Sequence, residues 1–140
     1  MNLSFIVIDD TELDQFIAKR MIGQAGKHFE VKSFYEARSA FEFIKSESEL
    51  LSADVATLVL LDMYMPVMNG YDFLEAFETL DPKVQDKYYI VALTSSVDRT
   101  DNARFRSYKS VKGVLCKPLS ATDLTSVITR MIAEKGIVIP

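Results

Sequence analysis

Three acids, a hydroxyl and a lysine occupy comparable places in this sequence: Asp9 and Asp10, Asp62, Thr94 and Lys117. Each follows a short apolar run: FIVI before the acidic pair, LVLL before Asp62, VAL before Thr94 and VLC before Lys117. Carboxylates held close together repel, so one must take a raised pKa or a cation must offset the charge. An all-oxygen ligand set, without histidine or cysteine, points to a hard ion, and a small open site favours Mg2+ that keeps several waters. Such an ion offsets charge on a transferring phosphoryl group, and the Lys117 ammonium would hold another of its oxygens. A carboxylate can itself be the nucleophile, forming an acyl phosphate. Asp62, at the end of the most apolar run, is the best placed.

The elements that must position these groups follow from periodicity. Leu3 to Ile8 reads as a central strand, and Leu13, Phe16, Ile17 and Met21 recur at helical spacing after an N-cap at Thr11 or Asp10. That helix should end near Gly23 to Gly26. Phe29 to Phe34 alternates apolar and polar residues, the pattern of an edge strand. Ala37, Ala40, Phe41 and Ile44 give a second helix, and polar Ser46 to Ala56 a helix end and loop. The run to Asp62 is the third strand. Phe73, Leu74, Phe77 and Leu80 predict a third helix ending near Asp81-Pro82. Tyr89 to Leu93 is the fourth strand, and a fourth helix of few large apolar residues spans about Asp98 to Tyr108. Gly113 to Cys116 is a short fifth strand. Leu124, Val127, Ile128, Met131 and Ile132 then mark an amphipathic last helix capped by Ser120.

Five strands alternating with five helices predict an α/β fold, a mostly parallel sheet covered on both faces with right-handed crossovers. The carboxyl ends of parallel strands share one edge, so acids, hydroxyl and lysine meet in one crevice. The expected unit is a single domain over residues 1–140, with a core over about 3–134 and a tail, 135–140, of no evident place.

Composition narrows the function classes. With 140 residues, 49% of them hydrophobic, the chain suits one sizeable core. A net charge of −4 gives no general attraction to nucleic acid or anionic membrane. The apolar run at the N-terminus is too short to span a bilayer and ends in two acids, unlike a signal peptide. One cysteine, Cys116, permits no intramolecular disulfide and suits a reducing cytoplasm. It reads as a small core residue beside the site.

With the acidic pair Asp9-Asp10, the LLDMYMPVMNG segment holding Asp62, the ALTSS segment holding Thr94 and the CKPL segment holding Lys117, the sequence resembles the receiver domain of two-component response regulators. The resemblance covers nearly the whole chain. It implies the flavodoxin-like strand order 2-1-3-4-5, for which the chemotaxis member of this family is a standard example. It implies that Asp62 accepts a phosphoryl group from a histidine kinase or histidine phosphotransfer protein, and that the domain then switches a protein-interaction surface or relays the group onward. Asp10, Asp62 and the backbone carbonyl of Tyr64 would ligate Mg2+, with Asp9 acting through water. Lys117 would pair with phosphoryl oxygens, and Thr94 would turn toward the phosphoryl group and report it. The Lys117-Pro118 bond is often cis in the family. The implied output surface is the fourth helix, fifth strand and fifth helix, through which two copies would pair in a homodimer.

The sequence also departs from the family pattern. Members often carry an aromatic residue three positions before the lysine, where this chain has Val114, so the aromatic half of the switch is absent or relocated. Tyr64 and Ser96, two positions beyond Asp62 and Thr94, sit where the family tunes hydrolysis of the acyl phosphate. Two other readings compete with a phosphorylated switch that acts only on itself. One is a degenerate receiver serving as a constitutive interaction module. The other is an aspartate-nucleophile phosphatase, which usually needs a second acid where Tyr64 stands.

Residues outside this set have plainer readings. His28 reads as a solvated turn residue, and Met63, Met65 and Met68 as packing groups. Arg99, Arg104 and Arg106 read as a solvated basic face.

Overall fold

The computed structural model describes residues 2–26, 28–47, 55–95 and 99–137. Strands β1 (Asn2–Ile8), β2 (Glu30–Phe34), β3 (Val55–Asp62), β4 (Tyr88–Thr94) and β5 (Val111–Cys116) form one sheet. All pairs are parallel and the order is β2-β1-β3-β4-β5, as the sequence implied. The helices are α1 (Glu12–Ala25), α2 (Ala37–Glu47), α3 (Gly70–Phe77), α4 (Pro82–Gln85), α5 (Arg99–Arg106) and α6 (Ala121–Lys135). Among the described residues no helix is long and apolar enough to cross a membrane.

Because side chains alternate along a strand, the apolar runs feed two cores. Phe5, Val7, Leu58, Leu60, Tyr89 and Val91 pack with Ala18 and Ile22 of α1 and with Leu124, Val127 and Met131 of α6. On the opposite face, Ile6, Ile8, Val59, Leu61, Ile90 and Ala92 meet Ala40 and Ile44 of α2, Phe73 and Phe77 of α3 and Phe105 of α5. Strands buried on both faces need continuous apolar sequence, which is why β3 and β4 read so plainly.

Several expectations are corrected. Among the described residues there are six helices rather than five. The third stops at Phe77, and Pro82 begins the short α4 instead of only ending its predecessor. Asp81 caps α4 by accepting from the Lys83 N–H at 2.9 Å, and proline suits the first helical position because no N–H is needed there. The inward face of α1 is only partly the one expected: Ile17 and Met21 pack against the core. Leu13 and Phe16 are exposed, while Gln15, Ala18 and Ile22 are buried. The Gln15 amide group lies within hydrogen-bond distance of the carbonyls of Val7, Asp9 and Phe34, tying the ends of β1 and β2 together. A polar side chain is needed there because carbonyls at strand ends require donors.

Cys116 is exposed rather than part of the core, since it ends edge strand β5. Ile137 is buried with the α1–α6 core, so packing continues past residue 134. His28 is exposed, and Met63 and Met65 are buried, as their readings required. The loop read over residues 46–56 falls mostly outside the described residues.

Candidate functional site

The carboxyl edge of the sheet gathers the acids. Asp9 lies just beyond β1 and Asp62 is the last residue of β3; both are buried, whereas Asp10 is exposed. Asp9, Asp10 and Asp62 each present an oxygen within 4.8 Å of the other two. Thr94 ends β4 and is fully buried, and the Lys117 N–H donates to its carbonyl at 2.8 Å. That bond carries the chain from β5 back toward the site. The Lys117-Pro118 peptide is cis.

Lys117 enters the acidic cluster directly. Its ammonium stands 2.7 Å from Asp9 Oδ2 and 3.5 Å from Asp62 Oδ2, and it donates to Asp14 Oδ2 at 2.9 Å. Burial works to lower the lysine's pKa, but hydrogen bonds to Asp9 and Asp14 and the Asp62 charge outweigh it and hold the pKa above its ordinary value. Burial pushes the Asp62 carboxyl up to about 6, and the charges of Asp9 and Asp10 add to that. The Tyr64 N–H, donating to Asp62 Oδ1 at 3.1 Å, and the Lys117 charge pull the other way.

The loop after Asp62 is shaped by two unusual positions. Gly70 donates its N–H to the Met63 carbonyl at 3.2 Å, and a Cβ there would lie 2.7 Å from Met63 Cα. Only glycine permits that approach. Val67 has φ 68° and sits at the centre of a three-residue turn in which the Met68 N–H donates to the Pro66 carbonyl at 2.8 Å. Beyond the loop, Asn69 and Asp72 form a reciprocal capping box that starts α3. The Tyr64 side chain is half exposed, its ring edge-on to Phe105 at 6.4 Å.

Val114 is half-buried in β5 and packs with the α2–α5 core. Ser96 lies outside the described residues. Arg104 sits over the Tyr71 ring at 3.6 Å, so it is not simply a solvated charge.

Two participants were missed in the sequence. Asp14 pairs with Lys117, and Thr11 bridges it to the site. The Thr11 N–H donates to Asp9 Oδ1 at 3.0 Å, and its hydroxyl lies 2.7 Å from Asp14 Oδ2 and 3.1 Å from Asp9 Oδ1. Thr11 is the N-cap by position, yet its side chain accepts no capping bond. Asp14 looked like any acid in a helix's first turn, where the macrodipole favours negative charge.

The three oxygen donors fit a hard divalent cation, since two buried carboxylates and one exposed carboxylate leave the site open to solvent on one side. In this parallel doubly wound sheet a buried acid ends the central strand, and two more acids and a lysine stand beside it in the crevice at the strands' carboxyl ends. The model of the response regulator receiver domain matches residues 5–129, and the chain belongs to that family.

Relatives agree. Aerobic respiration control sensor protein ArcB of Escherichia coli is 27% identical over 128 residues, 91% of this chain. Sensor histidine kinase CheAY of Helicobacter pylori is 28% identical over 132 residues, 94% of this chain. The chain spans only 15% of the length of either relative. A response regulator receiver protein from Dyadobacter fermentans superposes with a TM-score of 0.80 at 27% identity, covering 92% of this chain and 97% of that one.

Proposed function

We propose that this receiver domain accepts a phosphoryl group on Asp62 from a phosphohistidine of a partner histidine kinase or histidine phosphotransfer protein. The observation that carries the reading is the convergence of Asp9, Asp10 and Lys117 on the buried Asp62 carboxylate. A carboxylate oxygen of Asp62 attacks phosphorus, a P–O bond forms, the N–P bond breaks, and the imidazole leaves with a proton. Asp10, Asp62 and the Tyr64 carbonyl would hold Mg2+, with Asp9 acting through water. When bound, Mg2+ supplies positive charge that offsets the phosphoryl oxygens.

Lys117 supplies a second positive charge beside Asp62, and Thr94 is the hydroxyl that reports occupancy. The domain modifies only its own side chain and turns over no separate substrate. It works in the cytoplasm, and phosphorylation shifts the surface of α5, β5 and α6, where a partner or a second copy docks. With Val114 in place of an aromatic, the change passes without a rotating ring at that position.

The test is incubation of the full chain with acetyl phosphate and Mg2+, followed by intact-mass measurement. One added phosphoryl mass, lost in Asp62→Asn, is expected. No addition, or addition that survives the substitution, would refute the reading.

A further inference from the structure

We propose that Asp14 is a positioning residue that holds Lys117 toward α1, so that a phosphoryl group arriving at Asp62 must compete with it for the lysine. This inference rests on the phosphoacceptor reading above. Its basis is an asymmetry in the contacts of one ammonium. The two short contacts, 2.7 and 2.9 Å, go to Asp9 and Asp14, and the long one, 3.5 Å, goes to the acceptor Asp62. A lysine ammonium has three protons. Two are directed away from the reacting carboxylate.

Asp14 is itself held in place. Its Oδ2 also receives the Thr11 hydroxyl at 2.7 Å, and Thr11 is fastened to Asp9 Oδ1 through its backbone N–H. Asp9, Lys117, Asp14 and Thr11 therefore close a ring that joins the end of β5 to the first turn of α1. Asp14 is a third carboxylate in contact with Lys117, beside Asp9 and Asp62, without belonging to the cluster that could share a cation. Its charge opposes entry of an anionic phosphodonor, and its hold on the lysine withholds a compensating cation. Lys117 released from Asp14 keeps Asp9 and is free to close on Asp62.

Two measurements on the full chain decide the matter, using Asp14→Asn, which preserves shape and removes the charge. In the unphosphorylated protein, the side-chain 15N signal of Lys117, assigned by its loss in Lys117→Arg, should move in Asp14→Asn. An unmoved signal would overturn the tether. The second-order rate constant for phosphorylation by acetyl phosphate, read from intact mass against time, should rise about 3-fold, the scale of a partly exposed ion pair. Asp14→Glu, which restores the carboxylate, should return it toward the wild-type value. An equal or lower rate in Asp14→Asn would overturn the competition. A wild-type chain that takes up no phosphoryl mass would refute the phosphoacceptor reading and the competition with it, while the 15N signal would still decide the tether alone.

Discussion

Asp62 and Lys117 face each other at 3.5 Å across the end of β4, the strand that separates theirs in the sheet. The pair is too long to be a strong hydrogen bond. Burial consequently dominates at Asp62, and its carboxyl is raised to about 6.

A raised carboxyl pKa means that the folded state binds the proton more tightly than the unfolded one. Folding stability therefore falls as pH rises from near 4 to about 6 and stays lowered above that. Asp62→Asn removes this penalty and keeps an acceptor for the Tyr64 N–H. The variant should gain roughly 2 kcal/mol above pH 6 and little near pH 4. Urea unfolding at the two pH values checks this; an equal gain at both would count against it.

Charge repulsion among Asp9, Asp10 and Asp62 should make the fold respond to divalent cations. Mg2+ at a hundred times its Kd is expected to stabilise the chain by about 2.7 kcal/mol. Asp10→Asn should abolish most of that response, as read by thermal unfolding with and without the ion.

Tyr64 stands half exposed beside Asp62, where its ring would shield the proposed acyl phosphate from water. Tyr64→Ala should shorten the phosphorylated lifetime several-fold, followed by loss of phosphoryl mass after the donor is removed. An unchanged decay would show that the ring gives no shielding.

Much of the site was legible because a strand buried on both faces must stop being apolar where it meets solvent. Asp9, Asp62 and Thr94 are those boundaries, and each contrasts sharply with what precedes it, whereas Lys117 follows the half-buried edge strand β5 and was legible from the VLC run before it and Pro118 behind it. Asp14 offered no such contrast. The face of α1 was half misread for a related reason, Ile17 and Met21 packing inward as expected but Leu13 and Phe16 not. Periodicity assumes that an inward face is apolar, but the first turn of α1 abuts strand ends whose carbonyls need the Gln15 amide, leaving Leu13 and Phe16 outside. Pro82 was taken as a stop signal, although the same residue preceded by Asp81 is also a start.

Gly70 tests the loop after Asp62. An added Cβ meets Met63 Cα, part of the backbone, so a rotamer change cannot relieve it. Gly70→Ala should cost roughly 1–3 kcal/mol, as overpacking does. Denaturant unfolding measures the cost, and a smaller loss of stability would mean that the loop yields easily.

Val67 tests the same loop in the other direction. A β-branched residue at positive φ carries about 1–3 kcal/mol of strain, against the roughly 0.5–1 kcal/mol that glycine loses through chain entropy. Val67 is fully exposed, so its removal forfeits no packing. Val67→Gly should raise the melting temperature, and a fall would remove strain as the explanation.

Asp9 and Lys117 directly follow strands that are not neighbours: β3 and β4 lie between β1 and β5. Their 2.7 Å contact therefore exists only when four strands have closed in the correct register. A one-residue slip of any of them would turn its side chains to the other face. A half-folded or misregistered chain is thus mute: it carries the right residues but cannot bring the lysine to the acids. The assembly of the site is written into the order of the strands.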